Sequence, residues 1–136
     1  MKESLNTAME GHIKVYMNDE LVFDEHNTIH ANATDVVLRA LGVVSSKTNM
    51  IDTMKMIGAF GTKNIKIISA AIDSTQKTVT FTSRVEATDF AGVVTELYLI
   101  MGETNLTLAY KTGLTLTKDT NTVMLVVWQI KVAITI

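Results

Sequence analysis

His26 and His30 stand four residues apart, just after the carboxylates Asp24 and Glu25, and are the first side chains here that suggest chemistry. On a helix that spacing puts two imidazoles on one face, able to offer two nitrogens to a single Zn2+ ion. The residues between them are Asn27, Thr28 and Ile29, so the glutamate of a His-Glu-x-x-His site is missing. The pair also precedes the main helical pattern of the chain, and in extended backbone the two rings would lie ~13 Å apart. The expectation is two separate loop histidines, with no metal ion and no cofactor.

Glu86, Asp89 and Glu96 are a second candidate set, since two converging carboxylates can serve as general acid and base. Glu86 falls on the polar side of an alternating segment and Asp89 falls in a loop. Glu96 differs, being a lone charge among Val93, Val94, Leu97, Leu99 and Ile100. A buried carboxylate needs a partner, and Arg39, Arg84 or backbone N–H groups could supply one. Glu96 is therefore expected in the structural core, paired rather than catalytic. Gly58-Ala59-Phe60-Gly61-Thr62-Lys63 has the composition of a phosphate-cradling loop, but two residues separate its glycines where a Walker A loop has four. It reads as a turn between strands. The chain has no cysteine and no Gly-x-Ser-x-Gly elbow. A small hydrolase-like enzyme built on Glu96 or on His26 and His30 is the alternative these residues leave open.

These groups must be positioned by a β-rich framework. Thr (20), Val (14) and Ile (12) make up a third of the 136 residues, the β-branched excess that strands favour. The last stretch, Val123 to Ile136, carries Met124, Val126, Trp128, Ile130, Val132 and Ile134 on one face without a polar break. It predicts a strand of roughly 45 Å, bent or bulged somewhere, with Trp128, Ile130 and Val126 as structural core. Upstream, His12 to Met17 alternates and returns through Asn18-Asp19-Glu20 into Leu21–Phe23, a hairpin. One helix is expected over about residues 32–41, with Val36, Val37, Ala40 and Leu41 on one face and Gly42 ending it. Further strands are expected over residues 50–60, 65–72, 79–86, 93–101 and 106–110, with the turn Lys118-Asp119-Thr120-Asn121 before the last strand. Residues 1–11 carry Met1, Leu5 and Met9 four apart, one short helix face, and predict a flexible or docking N-terminal arm, with an arm that merely closes the open end of the domain as the equal alternative. Residues 12–136 then form a single domain, an antiparallel β-sandwich or partly closed barrel of seven or eight strands with one α-helix.

Charge and hydropathy narrow the partners. A net charge of −2, with Arg39 and Arg84 the only arginines, gives no basic field for nucleic acid. No apolar run approaches the ~18 residues of a membrane span, and the opening residues lack the apolar stretch of a secretory leader.

Three features in order resemble a family of small structural proteins of tailed bacteriophage virions. These are Gly11-x-Ile13-x-Val15-Tyr16-x-Asn18 with Asn27-x-Ile29, then Asp35-x-x-x-Arg39-x-Leu41, and finally Lys118 ahead of a terminal Trp128-x-Ile130-x-Val132 strand. Glu96 also falls where such proteins tend to place a glutamate. The resemblance implies a virion protein, assembled in the host bacterial cytoplasm, present in many copies and binding by surface contact without catalysis. The role it implies first is a capsid accessory protein, a decoration, cement or head-fibre-anchoring protein on the major capsid protein. A tail, collar or baseplate component, contacting tail or collar subunits, is the alternative.

Overall fold

The computed structural model describes residues 6–42, 50–102 and 104–135. The chain begins with a hairpin, β1 (Asn6–Met17) and β2 (Glu20–Ile29). Asn18 and Asp19 both take positive φ, 48° and 68°, the twist that a two-residue hairpin turn needs and that these two residue types tolerate. The tip is anchored from outside: Asn18 N donates to Val123 O and Val123 N donates to Asn18 Oδ1, both at 2.9 Å. Near the turn Tyr16 faces Leu21, but beyond it Val15 faces Phe23, so Val22 is an extra residue on β2.

A helix, α1 (Ala33–Gly42), follows the hairpin. Val36 N bonds Asn32 O in its first turn, and Asp35 sits near that end, where the helix dipole favours a carboxylate. Then come β3 (Ile51–Gly58), β4 (Gly61–Asp73), β5 (Thr78–Val85), β6 (Gly92–Met101), β7 (Leu106–Lys111), β8 (Leu116–Lys118) and β9 (Met124–Thr135). All pairings are antiparallel, in the order β3-β4-β5-β9-β1-β2-β7-β6, and β6 returns to β3. Eight strands thus close a barrel, and β8 adds to Gly92–Val94 of β6. The fold is the mainly β class expected from sequence, in its barrel form. Closure between β2 and β7 rests on Thr28↔Tyr110 and Ile29↔Ala109, with His30 N donating to Leu108 O just beyond. The outer edge of β2 before Thr28 carries Asp24 and Glu25, charges that discourage stray strand pairing.

β9 lies at the centre of one wall. It runs in register with β1 from Asn6↔Thr135 to Met17↔Met124, and with β5 from Thr78↔Lys131 to Val85↔Met124. Neither register shifts, so the bulge expected in the last strand is absent; the irregularities fall in other pairings instead. Met124, Val126, Trp128 and Ile130 are buried, while Gln129 and Lys131 are exposed. Burying such side chains contributes about 1.5–3 kcal/mol each.

Two expectations fail here. Asn6–Gly11 is not a separate helical arm: it is the first half of β1, paired with β9 from its first residue. Met9 faces inward and packs against the core, whereas Met1 and Leu5 lie outside the described residues. Lys118, expected in the turn before the last strand, instead ends β8. It is 1 % exposed, and its Nζ donates to Ala87 O, Phe90 O and Asp119 O at 2.9, 2.8 and 3.1 Å. The Phe90 ring lies 5.3 Å from the same ammonium. A buried charge is tolerable when its three N–H donors all find oxygens, and here they do. The ammonium thereby fastens the loop before β6 to the end of β8.

Gly11 is fixed by close approach. It faces Asn27 across the hairpin, and a Cβ built on it would land on the Asn27 side chain. Asn27 Oδ1 in turn accepts the indole N–H of Trp128 at 3.0 Å. The missing side chain makes room for the amide that satisfies the core tryptophan.

Candidate interaction surface

Helix α1 crosses one end of the barrel and packs on β7. Ala33 and Val36 are buried beneath it, but the apolar face read from the sequence is only half covered: Val37 is half-buried, Ala40 is exposed and Leu41 is 78 % exposed, and Leu38, outside that face, is 62 % exposed. A cleft of about 430 Å³ opens on one side of the helix, with Met9, Ile29, Val37 and Leu38 in its walls. A second, of about 400 Å³, lies on the other side, walled by Met9, Val37, Leu41, Ala70, Val79 and Val132. Met9 and Val37 line both.

The second wall continues along β4. Its first part, up to Lys66, pairs with β3; Ile67–Asp73 pairs with β5 alone among the described residues. Ala70 and Ile72 stand opposite Phe81 and Val79, on the side that faces inward elsewhere in the sheet. Ile72 is nevertheless 82 % exposed, because the sheet here extends past the closed part of the barrel. Leu38, Leu41, Met50 and Ile72 are the large apolar side chains exposed around this end. A grouping of this kind marks an interaction site more often than isolated exposed residues do.

The residues singled out for chemistry are placed apart. Glu96 is not core: it is half-buried, and its carboxylate accepts the Tyr98 hydroxyl at 2.6 Å rather than meeting Arg39 or Arg84. That bond, then burial, pushes the Tyr98 phenol up to about 12. Arg84 donates to Glu86 at 2.7 Å and Arg39 to Asp35 at 3.4 Å. Asp89 accepts the backbone N–H of Glu86 at 2.8 Å, so Glu86 and Asp89 belong to one turn and Glu96 to another wall. Gly58 and Gly61 face each other across the β3–β4 turn, with no helix following. Trp128, Ile130 and Val126 are core as expected.

His26 and His30 are not brought together. His30 packs edge-on against Tyr110 and accepts the Asn32 N–H through Nδ1 at 2.9 Å. His26 lies directly opposite His12 on β1, ring centroids 4.7 Å apart and planes at 83°. His12 Nε2 meets Asp24 Oδ1, and this hydrogen bond is the main reason the Asp24 carboxyl is held below its usual range. His12 was not among the sequence candidates. Among the described residues, no group of three or more His, Asp or Glu side chains is gathered to hold a metal ion. Among the same residues, no helix is long and apolar enough to cross a membrane.

No family model matches this chain, and no curated protein or solved structure does so either.

Proposed function

We propose that this chain is a structural protein of a tailed-phage virion, acting by surface contact and present in many copies. Within that class we propose a capsid accessory protein that decorates or cements the head or anchors a head fibre. The observation that carries the reading is the apolar surface around α1, where Leu38 and Leu41 line open clefts and Ile72 is exposed on the neighbouring end of β4. Covering each of these side chains could contribute about 1.5–3 kcal/mol before ordering costs, enough for several to hold a subunit on a lattice. The order of sequence features shared with virion proteins supports the same reading. The Tyr98, Arg84 and Arg39 partners of Glu96, Glu86 and Asp35 fit a structural rather than a catalytic use of those carboxylates.

The test is to purify the particles whose genome encodes this chain and to locate it by electron microscopy. Density on the head lattice is expected. Density on the tail or collar would move the protein to the alternative role, and its absence from the particle would refute the reading. Leu38→Asp and Leu41→Asp should each leave the melting temperature nearly unchanged and reduce attachment. Variants that attach as well as the parent would show that the helix surface is not the contact.

A further inference from the structure

We propose that His12 and His26 form a two-imidazole site for a divalent transition-metal ion of the Zn2+, Ni2+ or Cu2+ class, with Asp24 holding the His12 ring in place. The two residues are direct cross-strand neighbours on the outer face of the β1–β2 hairpin. A metal bonded to an imidazole nitrogen at ~2.0–2.1 Å lies ~3.2 Å from that ring's centroid. Two rings bound side by side, at ~90–110° about the ion, therefore have centroids ~4.5–5.2 Å apart. The observed 4.7 Å falls inside that window.

Asp24 supplies the second part of the arrangement. A ligating imidazole commonly gives its other ring nitrogen to a carboxylate, which fixes its orientation and raises its basicity. The Asp24 carboxylate meets Nε2 of His12, which leaves Nδ1 of that ring for the ion. A pocket of about 100 Å³ opens at the pair, with Glu10 and Gln129 on its rim, so water can complete the coordination. Imidazole donors without a thiolate suit Zn2+, Ni2+ and Cu2+ and not the hard ions Ca2+ or Mg2+. Lys14 opposite Asp24 and Lys131 opposite Glu10 bring positive charge close by. With only two protein ligands, the site is an exchangeable one. An occupying ion would clamp β2, a strand with one open edge, to β1 in the sheet interior.

The experiment is calorimetric titration of the untagged full chain with NiCl2, and separately with ZnCl2. One ion per chain is expected, with affinity reduced at least tenfold in His12→Gln and in His26→Gln and unchanged in His30→Gln. Asp24→Asn should weaken binding several-fold without abolishing it. MgCl2 should give no binding heat. Absence of binding by both Ni2+ and Zn2+, or binding that survives both His12→Gln and His26→Gln, would overturn the site. Should a variant fail to fold, NMR of the unmodified protein decides. Trace Cu2+ must broaden the ring resonances of His12 and His26 and spare those of His30.

Discussion

Replacing Gly11 with alanine tests how the barrel wall is built around its only tryptophan. The added methyl would sit 2.5 Å from Asn27 Cγ and closer still to both amide atoms, well inside van der Waals contact. Gly11 is buried in a strand paired on both sides, so the backbone has little freedom to yield. Asn27 must swing away, and Trp128, at 0 % exposure, then loses the acceptor of its indole N–H. A stranded buried donor costs about 1–3 kcal/mol, and overpacking of a tight site costs about as much again. Gly11→Ala should therefore cost about 2–6 kcal/mol. Asn27→Ala alone should cost about 1–3 kcal/mol, because it strands the same N–H. The double variant should cost little more than Asn27→Ala, since the methyl now enters vacated space; the coupling is then about the whole cost of Gly11→Ala. Urea denaturation followed by fluorescence measures all three, and Trp128 is the only tryptophan to report. A Gly11→Ala variant within about 0.5 kcal/mol of the parent, or costs that simply add, would refute the reasoning.

Trp128→Ala should cost about 3–5 kcal/mol and Gln129→Ala under about 1, because only the first faces the core; equal losses in the same assay would mean the facing of β9 is wrong. Lys118→Met should cost about 2–4 kcal/mol by stripping three carbonyls of their donor, while Lys63→Met, on an exposed position, should stay within about 0.5. Tyr98 predicts an alkaline effect: its phenol is neutral in both states below pH 10, and between its ordinary 10.0 and about 12 only the unfolded phenol ionises. Stability should therefore fall as pH rises through that window, and Tyr98→Phe should flatten the fall in a pH series of denaturation curves.

The last strand was legible because alternation is a local property, and Met124, Val126, Trp128 and Ile130 carry it without help from elsewhere. Asn6–Gly11 was misread for an equally local reason. Positions 1, 5 and 9 are four apart, which satisfies a helix face, but they are also all odd, which satisfies a strand face. Gly11, Ile13 and Val15 continue the odd series, and only pairing with β9 decides between the two. Glu96 was misplaced because apolar residues flank it at both parities; β6 carries an extra residue between its Val94 and Glu96 pairings with β3, and the carboxylate emerges on the outer wall beside Tyr98. The two-histidine cluster could not be seen at all. Counting back from the turn at the register of Met17↔Glu20 would put His12 opposite Glu25. The extra residue Val22 moves the register by one, so that His26 arrives opposite His12 and Asn27 opposite Gly11. Nothing in the local sequence announces that bulge.

The narrow closure between β2 and β7 has a consequence for how the molecule comes apart. Seven of the eight joints around the barrel are long ladders, whereas this one holds at Thr28↔Tyr110 and Ile29↔Ala109, with His30 N bonding Leu108 O just beyond. A closed barrel resists fraying because it has no free margin, so a weak joint becomes the place where a margin can form. Breaking these few bonds would let the wall relax toward an open sheet while β1, β9 and β5 stay paired. Amide hydrogens at Thr28, His30 and Tyr110, the donors across this joint, should then exchange with solvent through that partial opening, whereas those of Ile13, Val126 and Trp128 should wait for global unfolding.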